Sequence, residues 1–470
     1  MLAVISDLHF EEEKTDTIAC PGRDPVVFRR NIQGRAYTQF IAKLASEAKR
    51  NDAGRLDIVL AGDIFDLHRT SMWFDPAASD VRPYASCNQV NGQLEEKVLR
   101  ILDAIAAESE VYTALQAFQR LSKDQFYLAD PDDPASGTSF PAEVGVHYLP
   151  GNHDRLANAT DRIRARVREL LGLPAQPGQF PHELRFQDPA VLIRHGHEYD
   201  RYNFSVDHRH LPPVLPGSFP AVEYDDPTLG DFITVEVALQ LAVLFRQHYD
   251  DICSDPVRAQ VYQRLLEFDD VRPQSAMVDF LLTMPERGVS PEQAWALLDP
   301  VVRELLEKIH DSEYLRGWLD KLDDAWHLDI MDAVKLVLAQ EWLIEHITLP
   351  LDLVRKTAAL FGKVGSGDPP EVYAAREAAV RSGDVRFVVA GHTHNPAMKL
   401  ISVAKNSDRY YLDTGTWRNR VLSTSDHSAF GRLKAFTYAV IYSSREDRGD
   451  TLASPKLESL DYWSGFAQRW

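Results

Sequence analysis

Five short polar blocks, each placed directly after an apolar run, constrain this chain more than any other feature. They are Asp7-Leu8-His9, Gly62-Asp63-Ile64-Phe65-Asp66, Gly151-Asn152-His153-Asp154, His195-Gly196-His197 and Gly391-His392-Thr393-His394. The runs before them cover residues 1–6, 56–61, 144–149, 190–194 and 385–390. Short apolar runs bounded by Gly and polar residues read as buried strands. A strand that ends where a polar block begins places that block on a loop at the sheet's carboxyl edge, where binding residues collect. Helical periodicity over residues 36–50 and 93–120 lies between the runs, so the pattern predicts a layered α/β domain. Residues 410–412 and 435–443 read as further strands.

From about residue 231 to 361 the pattern changes to almost purely helical. Ser290-Pro291-Glu292-Gln293 is a helix start, with a serine cap, proline at the first position and glutamine at the third. After it, Trp295, Leu298, Val301, Val302, Leu305 and Ile309 fall on one stripe. Residues 330–347 repeat the effect, and the Gly/Pro-rich stretch 362–370 reads as an exit linker. The expected organisation is a domain built from residues 1–230 and 366–470, interrupted by an all-helical insertion or cap at 231–365.

Composition sets limits on partners. Of 470 residues, 70 are acidic and 51 basic, a net charge of -19, which repels polyanions at long range and counts against nonspecific nucleic-acid binding. Three distant cysteines, Cys20, Cys87 and Cys253, make no disulfide framework. The first polar block starts at residue 7, which leaves no room for a signal peptide in this sequence. The longest apolar stretch, residues 232–245, is interrupted by Glu236 and Gln240 and reads as too short to span a bilayer. The expected location is the cytoplasm. Nothing in the sequence sets an oligomeric state.

The five blocks mix carboxylate, amide and imidazole donors and use no cysteine. That donor set suits Mn, Fe or Zn better than an all-oxygen Mg or Ca cage. Asp63 is the best bridge between two ions, because a carboxylate can give one oxygen to each. Asp7 and His9 stand two apart after a strand, as do His392 and His394, and alternate residues of an extended chain point the same way. Asn152 offers an amide carbonyl and His195 an imidazole nitrogen.

In kind and order, the blocks resemble the signature of the calcineurin-like metallophosphoesterases: D-x-H, G-D-x-x-D, G-N-H-D/E, H-G-x and G-H-x-H. The resemblance implies a four-layer α/β/β/α sandwich, two divalent ions, and hydrolysis of a phosphoester by a hydroxide bridging them. It implies that Asp7, His9, Asp63 and His394 hold one ion, and that Asp63, Asn152, His195 and His392 hold the other. His153 would then act on the phosphate as an oxyanion stabiliser or acid, oriented by Asp66. The family pattern selects His195 over His197 as ligand, leaving His197 to line the site or to hydrogen-bond within its loop. Arg29 or Arg30, in the basic segment 23–35, can clamp a phosphate bidentately, or that segment is a solvated loop.

The expected substrate is a small or medium phosphorylated metabolite: a phosphodiester, a nucleotide or a pyrophosphate-linked compound. Two alternatives stand beside it. Bacterial UDP-2,3-diacylglucosamine hydrolases resemble the chain around Gly62–Leu67 and at His195-Gly196-His197-Glu198-Tyr199-Asp200, although their third block carries arginine where this chain has His153. A nuclease subunit of a DNA-processing complex would share the metal site, but the acidic charge and the lack of a basic run speak against it.

Overall fold

The computed structural model describes residues 1–12, 17–18, 26–27, 30–78, 80–206, 208, 211–252, 255–272, 276–283, 290–310, 312–315, 368–404, 407–426, 428–446 and 458–467. These form a mixed α/β structure around two large sheets.

In chain order the strands of those sheets are β1 (Leu2–Ile5), β2 (Arg55–Ala61), β3 (Glu143–Leu149), β4 (Glu183–Gln187), β5 (Ala190–Arg194) and β6 (Val271–Arg272). After the helical block come β7 (Phe387–Ala390), β8 (Ala397–Ala404), β9 (Ser407–Asp413), β10 (Asn419–Ser423), β11 (Phe430–Tyr442) and β12 (Ser459–Ala467). The seven-stranded sheet runs β6-β10-β11-β1-β2-β3, with β12 paired to β11. The five-stranded sheet runs β8-β9-β7-β5-β4. Every apolar run expected to be a strand is one. The sites come from its parallel members: β1 beside β2, β2 beside β3, and β7 between β5 and β9.

Side-chain alternation explains how the sheets pack. Leu2 and Val4 of β1, with Val59 and Ala61 of β2, share one buried cluster with Val191 and Ile193 of β5 and Phe387 and Val389 of β7. The alternate residues Ala3, Ile5, Ile58 and Leu60 join a different cluster, with helices α1 (Gly34–Arg50), α2 (Gly92–Ala107), α3 (Ser109–Asp124) and α4 (Asp161–Leu171). On the second sheet, Leu192, Val388 and Ala390 point instead to Tyr373, Ala374, Ala379 and Val380 on two short helices. Strands apolar on both faces therefore bury both, and each fully buried aliphatic side chain contributes about 1.5–3 kcal/mol.

The helical run expected over residues 93–120 is two helices. The break falls at Glu108, whose carboxylate accepts from the backbone of Glu110 and Val111 (both 2.9 Å) and so caps α3.

The described part of the block after residue 231 contains the helix expected from residue 291. Ser290 and Gln293 cap the helix Pro291–His310 reciprocally, with Ser290 N–H donating to Gln293 Oε1 (2.8 Å). Trp295, Leu298, Val301, Leu305 and Ile309 are buried in the block's own core, and Val302 packs against it. The block is not all-helical, however. It contributes β6, which pairs in parallel with β10 and so ties the block into the seven-stranded sheet. The helix expected over 330–347, and all of 316–367, lies outside the described residues.

Among the described residues, one helical stretch, Ala221–His248, is long and apolar enough to cross a membrane, which amends the expectation drawn from residues 232–245 alone. More than half of its most apolar window is buried, and Phe232, Leu241, Leu244 and Phe245 belong to the core of the helical block.

Candidate metal centre

The strands deliver the polar blocks to one place. Asp7 N–H donates to Gly62 O (3.0 Å), His9 N–H to Asp63 O (2.9 Å) and Gly391 N–H to His195 O (2.7 Å), so neighbouring loops are stitched together by backbone bonds. The convergence of Asp7 with His9, and of His392 with His394, does not come from extended alternation. All four are in the left-handed region, at φ 53°, 44°, 73° and 56°, and Asp63 joins them at 52°. Five of the seven described non-glycine residues with positive φ are thus candidate ligands. That conformation is costly for residues with a Cβ and persists where surroundings enforce it, as at functional sites. Packing around the ligands is close. A Cβ on Gly151 would overlap Asp63 Oδ1 and crowd the His195 ring, and one on Gly391 would overlap Asp7 Oδ2.

Two sets of donor atoms meet at Asp63. In the first, His9 Nε2 lies 2.9 Å from His394 Nε2, 3.8 Å from Asp7 Oδ1 and 3.7 Å from Asp63 Oδ2, and His394 Nε2 lies 3.3 Å from Asp7 Oδ1. In the second, His195 Nε2 lies 3.1 Å from Asp63 Oδ2 and 3.2 Å from Asn152 Oδ1, which is 3.1 Å from His392 Nδ1. Donors each about 2.1 Å from one ion stand roughly 3–3.5 Å apart, so the spacings and the donor types fit a divalent cation in each set. Of the donors, Asp7, His9, Asp63, Asn152, His195 and His394 are buried and His392 is nearly so.

The outer nitrogen of three imidazoles is already committed. His9 Nδ1 faces Asp66 Oδ2 (2.8 Å), His195 Nδ1 faces the carbonyl of Ala61 (2.9 Å), and His392 Nε2 faces Asp200 Oδ2 (2.9 Å). Each acceptor fixes the tautomer that leaves the inward nitrogen's lone pair free for a metal.

Electrostatics point the same way. Burial works against charge on Asp7, Asp63 and Asp66, yet the histidines beside them hold all three carboxyls below the usual range. Burial likewise opposes charge on His195, but Asp63 and Asp7 outweigh it and push its pKa up to about 10. The cluster thus attracts positive charge, which protons supply when no other cation does.

His153 is placed differently from the ligands. Its Nδ1 faces Asp66 Oδ1 (2.9 Å), its backbone N–H donates to Asp63 Oδ1 (2.8 Å), and 18 % of its side chain is exposed. Burial lowers its pKa, but Asp66 and Asp63 override that and raise it to about 10. Asp154 braces its own turn and the loop of the second block together. Its carboxylate accepts from the N–H groups of Gly151 (2.5 Å), Asp63 (3.2 Å) and Ile64 (2.8 Å).

The residues expected to bind substrate do not gather here as a set. His197 is buried beside His195 and His392, with ring centroids 5.3 and 6.4 Å away, and also packs against Phe204 and Tyr224. Arg30 is buried and pairs with Glu11 (3.6 Å) and Asp269 (3.9 Å), on the wall of a cavity of about 640 Å³ that also touches Arg69, Leu239 and Tyr262 but no candidate ligand. Arg29 lies outside the described residues.

Two contributors were not visible as such in the sequence. Asp200 orients His392 and is itself held by Asn203 (2.8 Å), whose amide oxygen accepts from Asn152 (3.3 Å). Their nearness to the fourth block marks them only as pocket candidates. Arg272, from the helical block, donates to His394 Nδ1 (3.1 Å), and no sequence signal points to it. Trp73 and Trp417 are core residues. Comparison of the chain with protein-family models gives no match, and comparison with curated proteins gives none either.

Proposed function

We propose that this protein is a metal-dependent phosphoester hydrolase of the calcineurin-like kind, acting through two divalent ions on a phosphodiester, nucleotide or pyrophosphate-linked metabolite. The observation that carries the proposal is the left-handed clustering of Asp7, His9, Asp63, His392 and His394 around one carboxylate, Asp63. Nothing in the packing of a core requires five such backbones in one place. The α/β/β/α layering belongs to the same proposal. It is supported by the alternation of β1, β2, β5 and β7 between an inter-sheet cluster and two separate helix-facing clusters. The cysteine usage that suggested the cytoplasm is joined by the buried free thiol of Cys87.

Asp7, His9, His394 and Asp63 would hold one ion, and Asp63, Asn152, His195 and His392 the other. A divalent pair supplies Lewis-acid neutralisation of phosphoryl charge and lowers the pKa of water to near neutrality. The chain's own residues supply the rest. With its pKa raised to about 10, His153 is an imidazolium near neutral pH, so with Nδ1–H given to Asp66 the Nε2–H remains available as a donor. From there it hydrogen-bonds a phosphoryl oxygen or gives its proton to the leaving oxygen, worth about 10²–10⁴-fold. Asp66 serves His9 and His153 together and so couples ligand geometry to the proton donor. Asp154 and the backbone stitches keep the ligand loops in register.

The test is turnover of p-nitrophenyl phosphate and bis-p-nitrophenyl phosphate by metal-stripped protein reloaded with Mn, Zn, Fe or Mg. Metal-dependent hydrolysis is expected. Two bound ions without turnover of either ester would oppose the proposal.

A further inference from the structure

Beside this centre, two arginines carry charge that no described carboxylate balances at close range. Arg272 lies on β6, inside the helical block, and Arg420 lies on β10, the strand β6 pairs with. Arg272 stands opposite Leu422, and Leu422 and Arg420 share a face by strand alternation, so both arginines belong to one face of the sheet edge. Arg272 commits Nη1 to the carbonyls of Asp269 (2.6 Å) and Val271 (2.9 Å) and turns Nη2 to His394 Nδ1 (3.1 Å). Arg420 is 6 % exposed. It makes one long contact, Nη2 to Asn395 Oδ1 (3.4 Å), and its Nε has no partner.

Other buried arginines are compensated. Arg418 pairs with Asp270 (2.7 Å), Arg69 with Asp269 (2.5 Å), Arg155 with Asp231 (3.3 Å) and Arg194 with Glu377 (3.0 Å). Arg168 and Arg264 lack a carboxylate partner but lie over the rings of Phe180 (4.3 Å) and Phe280 (4.2 Å). Arg420 has neither arrangement. Burying an uncompensated guanidinium costs free energy, and in a chain of net charge -19 carboxylates to pair with it are plentiful.

We propose that Arg272 and Arg420 form an anion subsite for a second phosphoryl group of the substrate, so that the substrate class is pyrophosphate-linked or doubly phosphorylated compounds. The inference rests on the metal centre proposed above. Placement separates the subsite from the reacting phosphate. Arg272 approaches His394 at Nδ1, whereas Nε2 faces Asp7 and His9, so the ring stands between the guanidinium and the candidate ligand atoms. A guanidinium is suited to bidentate capture of a phosphate. Because Arg272 comes from the helical block, that block selects the substrate.

The experiment is equilibrium binding of inorganic phosphate and of methylenediphosphonate to Mn-loaded protein, with Mn in excess and metal content counted. The wild type is expected to bind the diphosphonate about 10–100-fold more tightly than phosphate, as one or two charged hydrogen bonds would give. In Arg420→Ala and in Arg272→Ala that preference falls to about two-fold or less, with Arg272→Lys between. An unchanged preference in the folded variants would overturn the subsite, as would equal weakening of both ligands, which would assign the arginines to the reacting phosphate. Should Arg420→Ala fail to fold, the partly buried Arg272 carries the same test. Phosphate binding by the wild type that needs no metal would instead overturn the metal-centre reading.

Discussion

One oxygen of Asp66 faces Nδ1 of His153 at 2.9 Å, and its other oxygen faces the matching nitrogen of His9 at 2.8 Å. A single buried carboxylate thus sets the tautomer of a candidate proton donor and of a candidate metal ligand. His153→Ala should keep both ions and lose about 10²–10⁴-fold in kcat. Asp66→Asn should lose turnover as well, and should also weaken metal binding by about 10–100-fold, as loss of an orienting carboxylate does. Metal content and kcat measured on both variants check the distinction. Equal metal loss in the two would place His153 among the ligands.

Asp154 makes a prediction about stability. Its carboxylate serves four backbone N–H groups, of Gly151, Asp63, Ile64 and Phe65, drawn from two candidate ligand loops. Asp154→Ala leaves buried donors without an acceptor, at about 1–3 kcal/mol each. Thermal unfolding should shift down by several degrees, and metal affinity should fall with it, although Asp154 is no ligand. Metal binding unchanged in the folded variant would show that the loops hold their register without the brace.

Close approach makes a prediction about Gly391. An added methyl would overlap Asp7 Oδ2 and Ser6 Oγ, displacing a buried candidate-ligand carboxylate rather than a flexible side-chain end. Gly391→Ala should therefore lower metal occupancy and turnover together while leaving far-UV circular dichroism unchanged. Full occupancy in the variant would mean that the loop has slack to yield.

His182 predicts a pH dependence away from the ligands. Its ring stacks on Tyr224 at 3.8 Å, and burial, with Arg194 adding to it and Glu198 opposing, pushes its pKa down from 6.5 to about 4. Below pH 6.5 the unfolded chain takes up a proton that the folded chain refuses until about pH 4, so stability is full above 6.5 and declines between these values. The loss from this one ring approaches about 3 kcal/mol at pH 4. His182→Phe keeps an aromatic ring against Tyr224 and removes the titration. Denaturant unfolding between pH 7 and 4 should show a shallower decline in the variant.

Much of the site was legible because each candidate ligand follows a strand, and an apolar run ending in a polar block is a pattern one sequence can display. The reason for convergence was not. Asp7 and His9 look like alternating strand residues but meet through left-handed backbone, which composition does not encode for Asp or His. Asp200 acts across 192 positions on His392, and Arg272 across 122 on His394, so both depend on tertiary packing. β6 has two residues, too few for any periodicity, and the helical pattern around it concealed a tie to the main sheet. Glu108 capped α3 where serine or aspartate is the usual signal, so two helices read as one.

The central claim is that Asp63 would hold both ions of a divalent pair in a centre for phosphoester hydrolysis. Its most direct test is turnover of bis-p-nitrophenyl phosphate by Mn-reloaded wild type and Mn-reloaded Asp63→Asn, with metal counted in each. The account predicts metal-dependent hydrolysis by the wild type, with turnover and part of the bound metal lost in the variant. Hydrolysis that survives in Asp63→Asn, or its absence in a wild type holding two ions per chain, would contradict it.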